Sequence, residues 1–227
     1  MALRAVILDF DGTLVESVGI KDEAFRALYA EEAPERLDEI MAYHTSRNAT
    51  LRFEKFRHID EAILGRPHTA ETAARLAARF SDLVFGRICA APAVAGIDAL
   101  MRACEGLPMH LVSMSPDGEL ARILAARGLD RRLAGVYGGS WRKAEAIADA
   151  LAREGAARAE AVFVGDTDED RLAAEEAGVA FVGRDSGRPI GGRWPVHPDL
   201  AGVAREIAAL RAARGRGTGG TGTCLTT

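Results

Sequence analysis

Five short apolar runs punctuate the chain, at residues 5–8, 109–113, 135–137, 161–164 and 179–182. Runs this short, without polar alternation, predict strands buried on both faces, as in a parallel sheet. Between and around the later runs lie Ala-, Arg- and Glu-rich segments of helical pattern, about 93–105, 117–127, 141–154 and 168–177. Strands alternating with helices predict an α/β core, a doubly wound parallel sheet covered on both sides. Residues 16–90 break that rhythm. They carry helical pattern alone, at Lys21–Glu32, Pro34–Tyr43, Leu51–Leu64 and Thr69–Arg87. The expected organisation is a core of residues 1–15 and 91–212 with a small all-α cap of residues 16–90. The cap's hinges fall near Glu16–Val18 and Ala90–Pro92. A Gly- and Thr-rich tail, 213–227, has almost no apolar content and predicts disorder.

Composition removes several classes of function. The formal net charge is −4 and no basic run is long enough to argue for nucleic acid. No apolar stretch is long enough to span a bilayer, and the first residues lead into a strand without the regions of a signal peptide. Cys89, Cys104 and Cys224 are odd in number and lie in no metal-like spacing. They predict reduced thiols in a cytoplasmic protein. An apolar cap face can pack internally or on a neighbour, so monomer and homodimer both stay open.

The chemistry concentrates at the end of the first run, Asp9-Phe-Asp11-Gly-Thr-Leu14. Side chains at i and i+2 on extended chain point the same way, so Asp9 and Asp11 converge where open α/β sheets place their ligands. Paired carboxylates repel. A hard cation such as Mg²⁺ relieves that repulsion. One carboxylate of such a pair can attack phosphorus while the other handles a proton.

Asp9-Phe-Asp11-Gly-Thr-Leu14 resembles the first motif of the haloacid dehalogenase-like hydrolases, and three further segments match in order. Ser113 ends the second run; Lys143 stands in Gly138-Gly-Ser-Trp-Arg-Lys143-Ala-Glu-Ala-Ile; Gly165-Asp166-Thr-Asp-Glu-Asp170 fits the closing acidic motif. The resemblance implies a Rossmann-like core and a Mg²⁺-dependent phosphomonoester hydrolase. In it Asp9 is the nucleophile that forms an aspartyl-phosphate, and Asp11 is the general acid and base. Mg²⁺ lies between Asp9, Asp166 and the Asp11 main-chain carbonyl, with Asp170 orienting the cluster from behind. Ser113 binds a phosphate oxygen, Lys143 neutralises charge, and Gly12 and Thr13 cradle the phosphate. Arg142 competes with Lys143 for its role, and Asp168 and Glu169 read as acids of a helix's first turn. Met114 stands where the family commonly has Asn.

Asp11 also discriminates among relatives, because a phosphate ester needs a proton for its leaving group and a halide does not. A phosphoglycolate phosphatase-like enzyme acting on a small phosphorylated metabolite is the leading expectation. A β-phosphoglucomutase-like phosphomutase and a non-catalytic binding regulator are the alternatives. Substrate choice is expected from the cap, where Arg47, Arg52 and Lys55 are candidates for a second anionic group. On a helix starting near Ala49, Arg52 and Lys55 share one face and Phe53, Phe56 and Ile59 the opposing apolar stripe. The competing reading is a solvated cationic face paired with Glu54 and Glu61. His44, His58 and His68 read as surface or packing residues.

Overall fold

The computed structural model describes residues 2–47 and 50–215. A six-stranded sheet forms its centre: β1 (Ala5–Leu8), β2 (Met109–Val112), β3 (Gly135–Tyr137), β4 (Ala161–Gly165), β5 (Ala180–Arg184) and β6 (Val196–His197). The order is β3-β2-β1-β4-β5-β6 and every pairing is parallel. β1 lies between β2 and β4, with Val6 opposite Met109 on one side and Val162 on the other. The direction of winding reverses there, which opens a crevice at the carboxyl end of β1.

Alternation along β1 sends Ala5 and Ile7 to one face and Val6 and Leu8 to the other. The first face packs on α7 (Lys143–Glu154) and α8 (Asp168–Ala177) through Ile147, Ala150, Ala173 and Ala174. The second packs on α5 (Ile97–Ala103), α6 (Asp117–Ala126) and α9 (Leu200–Gly215) through Leu100, Leu120, Ile123 and Val203. That second core continues without a break into the helices between β1 and α5. These are α1 (Val18–Glu32), α2 (Leu37–Ser46), α3 (Arg52–His58) and α4 (Ala70–Ala90). Phe25, Phe56 and Phe80 meet there with centroids 5.0–6.1 Å apart.

The two chain crossings between sheet and helical layer run side by side. Val15 bridges Ala93 antiparallel, Glu16 donates its N–H to the Pro92 carbonyl at 3.1 Å, and Val94 donates to Leu14 at 3.0 Å. Arg127 donates to the carbonyls of Ile88, Cys89 and Ala91, which lie at and beyond the end of α4.

Several elements differ from the sequence expectation. The helix expected over 51–64 is α3 followed by a π turn, Ile59–Ile63, in which Leu64 donates to Ile59 at 2.8 Å. The wider turn carries Asp60, fully buried, onto Arg66 Nε and His68 Nδ1. α3 begins at Arg52 rather than near Ala49. Phe53 is 58% exposed, whereas Lys55 is buried beside Phe56 and Ile59, so the expected division into cationic and apolar faces does not hold. The helix expected over 93–105 begins only after Gly96, whose φ of 85° caps it. β6 and α9 have no counterpart in the expectation, although Leu200, Val203 and Ile207 recur at helical spacing. α9 runs to Gly215, three residues into the expected tail; residues 216–227, with Cys224, lie outside the described residues. Among the described residues no helix is long and apolar enough to cross a membrane.

Gly96 and Gly106 offer a controlled test of packing between α5 and α9. Both have positive φ, but a Cβ on Gly96 would stand 2.3 Å from the Ala201 nitrogen, while one on Gly106 would meet nothing. Gly106→Ala is expected to cost about 1 kcal/mol of backbone strain alone. Gly96→Ala adds overpacking and is expected to cost about 3 kcal/mol. Chemical denaturation of the two variants gives the comparison; equal losses would show that α9 does not hold α5 closely.

Candidate active site

Asp9 leaves β1 while still on the ladder, its N–H donating to the Val164 carbonyl at 2.8 Å. The chain then turns through Gly12, whose φ is 80° and where a Cβ would lie 2.2 Å from Asp166 Oδ2. Only glycine allows the turn to come this close to the end of β4. Arg184, at the end of β5, fixes the same turn: it donates to the Gly12 carbonyl at 2.8 Å and pairs with Glu16. Gly165 plays the matching part beneath α8, since a Cβ there would stand 2.4 Å from Asp170 Cβ.

Three carboxylates, Asp9, Asp166 and Asp170, are thus buried with oxygens within 4.8 Å of one another. Lys143, the first residue of α7, donates to Asp9 Oδ1 at 2.8 Å and to Asp170 Oδ1 at 2.5 Å. Its ammonium is held above the ordinary lysine value because Asp170 and Asp9 outweigh its burial. Asp170 Oδ2 is taken up by the start of α8, accepting from the Asp166 and Thr167 N–H groups and the Thr167 hydroxyl, while Thr167 caps the Asp170 N–H. Thr13 Oγ1 lies 3.2 Å from Asp9 Oδ2 and 3.5 Å from Asp166 Oδ1. Asp166 Oδ2 is buried without a hydrogen-bond partner.

One ammonium among three carboxylates leaves negative charge unmatched. Asp9 is held well above the ordinary carboxyl range: burial, with Asp170 and Asp166, prevails over Lys143. Asp166 is pushed up to about 6, by burial first and then by Asp170. An orphaned buried carboxylate oxygen in an all-oxygen donor set fits a hard divalent cation such as Mg²⁺, with Asp9 and Asp166 holding the free lone pairs.

Asp11 faces a different environment. Its Oδ1 accepts from Ser17 at 2.6 Å and its Oδ2 from Lys21 Nζ at 2.5 Å and Ser115 Oγ at 3.3 Å. Burial raises its pKa, but the Lys21 ammonium and these hydrogen bonds prevail and hold the carboxyl below its ordinary value. Asp9 and Asp11 are therefore driven apart in acidity by neighbours on opposite sides.

A cavity of about 580 Å³ opens over these groups, lined by Asp9, Asp11, Ser113, Lys143, Asp166 and Asp170 among others. Ser113 Oγ accepts the Ser115 N–H at 3.1 Å. Gly12 and Thr13 do not line the cavity; Thr13 is fully buried behind the carboxylates. Arg142 lines the cavity's exposed edge, paired with Glu176 and Glu145, and Lys143 is the one of the two that reaches the carboxylates. Asp168 is paired with Arg171, while Glu169 and Met114 line the cavity wall.

Of the three cap cations, only Lys55 lines this cavity. Arg47 is exposed at the end of α2. Arg52 pairs with Glu119 of α6 at 3.2 Å and lies 4.7 Å over Phe80. Arg52 thus lies outside the cavity lining, and among the described residues it pairs with neither Glu54 nor Glu61. Lys55 donates to the His44 carbonyl at 3.1 Å and lies 3.2 Å from His44 Nδ1. His44 is buried and stacks on Phe25 at 3.8 Å, with Nε2 2.9 Å from Asp22. His58 stacks on Tyr43 and His68 contacts Asp60, both away from the cavity. Lys21, Asp22, Ser115, Arg184 and Arg188 are the site's residues that sequence reading misses. Ser115 stands just before the start of α6; for the others no local pattern points inward.

A family model described as haloacid dehalogenase-like hydrolase matches residues 3–178. The phosphoglycolate phosphatase of Escherichia coli (strain K12) is 29% identical over 204 residues, covering 80% of this chain and 81% of its own. The crystal structure of a predicted phosphoglycolate phosphatase from Haemophilus somnus 129PT superposes with a TM-score of 0.70 at 18% identity, over 90% of this chain and 97% of that one. CbbY from Rhodobacter sphaeroides, in complex with xylulose-(1,5)bisphosphate, gives 0.69 at 15% identity, over 88% and 96%. These two structures share the fold. The chain belongs to the haloacid dehalogenase-like hydrolases, as a phosphatase of that family similar to the phosphoglycolate phosphatases.

Proposed function

We propose that this phosphatase is a Mg²⁺-dependent phosphomonoester hydrolase that works through an aspartyl-phosphate on Asp9. Its substrate is a small phosphorylated metabolite, phosphoglycolate- or sugar-phosphate-like, that fits beneath the helical layer. The observation that carries the reading is the opposed setting of Asp9 and Asp11, one in an acidic cluster with Lys143, the other ringed by Lys21, Ser17 and Ser115.

Asp9, Asp166 and the Asp11 main-chain carbonyl would hold Mg²⁺, which would supply charge neutralisation for the phosphoryl oxygens. Asp9 attacks phosphorus and the ester oxygen leaves with a proton from Asp11. Asp11, again a carboxylate, takes a proton from the water that attacks the phosphorus, and inorganic phosphate departs. Lys21 and Ser17 favour the ionised Asp11 that this second half needs. A bound phosphate dianion competes for the Lys21 ammonium and so lets Asp11 hold the proton that the first half needs. Ser113, just past the end of β2, and Lys143, at the start of α7, bind the transferring group. Asp170 and Thr167 hold Lys143 in place.

Residues 16–90 serve as a cap in this reading, and residues 1–15 and 91–212 as the catalytic core. The paired crossings at Val15 and Ala93 are its hinge. Cys89 and Cys104 are free thiols, in keeping with a cytoplasmic setting.

Phosphate release from an aryl phosphate tests the chemistry. Asp9→Asn is expected to lose at least about a thousandfold in kcat, and EDTA to abolish turnover in the wild type. Activity that survives either change would contradict the assignment.

The acid cluster also sets a pH dependence. Asp166 in the metal-free protein has a folded pKa of about 6, above its unfolded value, so the folded state binds this proton more tightly. Its contribution is intact below the unfolded value and is lost as pH rises from about 4 through 6, by on the order of 3 kcal/mol. Denaturation in EDTA at pH 5 and pH 7.5 should show the loss, and Mg²⁺ should restore stability at the higher pH in the wild type but not in Asp166→Asn. A metal-free stability that rises over this interval, or Mg²⁺ stabilisation that persists in the variant, would count against the site.

A further inference from the structure

The turn that carries Asp11 depends on how Gly12 is set, and two hydrogen bonds set it. The Gly12 N–H donates to the Val15 carbonyl at 2.8 Å, and the Gly12 carbonyl accepts from Arg184 Nη1 at 2.8 Å. Because a peptide group is planar, the first bond fixes the plane that contains the Asp11 carbonyl, and the second fixes the plane that follows. Between the two planes stands a glycine at φ 80°, the residue type with the widest choice of conformations. Around it the Phe10 carbonyl accepts from Thr13, Leu14 and Val15, and the Leu14 carbonyl from Val94. Among the described residues no protein donor takes the Asp11 carbonyl.

Arg184 closes β5 and is 8% exposed. One arm of its guanidinium holds Gly12, the other holds Glu16 Oε1, and its Nε is buried with no partner. Glu16 is itself fixed at the crossing between the layers, where its N–H donates to the Pro92 carbonyl at 3.1 Å. Burying a guanidinium with one N–H unpaired is costly, and an apolar side chain would end β5 with less penalty. Among the described residues Gly12 and Glu16 are the only polar partners of Arg184, and neither belongs to the acid cluster. Its part in the site is therefore geometric.

We propose that Arg184 is a positioning residue for the metal: by holding the Gly12 carbonyl it sets the turn in which the Asp11 main-chain carbonyl meets Mg²⁺, and Glu16 steadies it from the crossing. The proposal rests on the hydrolase reading above, which supplies the metal. Without the guanidinium, the plane after Gly12 is free to rotate, and the Asp11 carbonyl loses its fixed direction. Groups that orient a metal's ligands from behind weigh on its affinity although they never touch it. The Asp11 carboxylate is gripped separately, by Ser17, Lys21 and Ser115, so the proton chemistry of that side chain does not depend on Arg184.

Calorimetric titration with Mg²⁺, in the absence of any ester and well below each variant's thermal midpoint, separates this role from a merely structural one. Arg184→Gln is expected to weaken Mg²⁺ binding by about tenfold or more. The Mg²⁺ concentration for half-maximal phosphate release from an aryl phosphate should rise by a similar factor, with KM for the ester little changed at saturating Mg²⁺. Arg184→Lys keeps the charge but not the planar fork and should recover only part of the affinity. Glu16→Gln, which keeps an acceptor for Arg184, should weaken binding less than Arg184→Gln. An affinity unchanged in folded Arg184→Gln, or fully restored by Arg184→Lys, would overturn the proposal. A wild type that binds Mg²⁺, loses affinity in Arg184→Gln and yet releases no phosphate keeps the positioning role and loses the hydrolase reading. Phosphate release with the same Mg²⁺ dependence in wild type and Arg184→Gln does the reverse.

Discussion

The constraint on which this structure depends is the burial of three carboxylates around one ammonium. Taking a single carboxylate out of water costs several kcal/mol unless it is paired and hydrogen-bonded. Here Lys143 joins Asp9 to Asp170, the start of α8 satisfies the other oxygen of Asp170, and Asp166 keeps one oxygen with no partner. Each surrounding feature serves that cluster. β1 and β4 are adjacent so that Asp9 and Asp166 leave the sheet side by side. Gly12 and Gly165 remove the side chains that would push these carboxylates apart. Arg184 holds the turn that would otherwise be free to open. The imbalance left over is what the proposed metal and phosphoryl group would meet.

The helical layer completes the site by a different logic. Its hydrophobic core is continuous with one face of the sheet, and a set of polar contacts ties it to the sheet layer. Lys21 reaches Asp11 from α1, and Arg52 of α3 meets Glu119 of α6 together with Ser81 of α4. Arg127 grips the carbonyls where the chain returns from α4. In the proposed reaction, movement of this layer would couple the state of Asp11 to whether the cavity is covered. Closure of such a layer generally shields a reactive intermediate from bulk water.

Much of this was legible in the sequence, and the parts that were not share a cause. Asp9, Asp11, Ser113 and Asp166 stand at the ends of apolar runs, where strand geometry alone brings side chains to one edge. Lys143 could be preferred to Arg142 on the spacing of Lys143-Ala-Glu-Ala-Ile, and the structure sets Lys143 on Asp9 and Arg142 on Glu176. Lys21, Arg184 and Arg188 carry no such mark: each becomes part of the site only through contacts that folding creates across the layers. Their charges look like those of any solvated helix or loop. The error on α3 is of another kind. A seven-residue helix closed by a π turn has too short a pattern to fix its rotation, so Lys55 and Phe53 exchange the environments expected of them. The tie between Arg52 and Glu119 likewise depends on how the two layers meet.

The account stands on Asp9 as the atom that takes the phosphoryl group, and covalent trapping addresses this most directly. Acid quench of the wild-type protein during turnover of a radiolabelled phosphomonoester, followed by peptide mapping, should place the label on the segment containing Asp9. Asp9→Asn should carry none. Phosphate release with no labelled protein at any quench time, or label on a segment without Asp9, would contradict it.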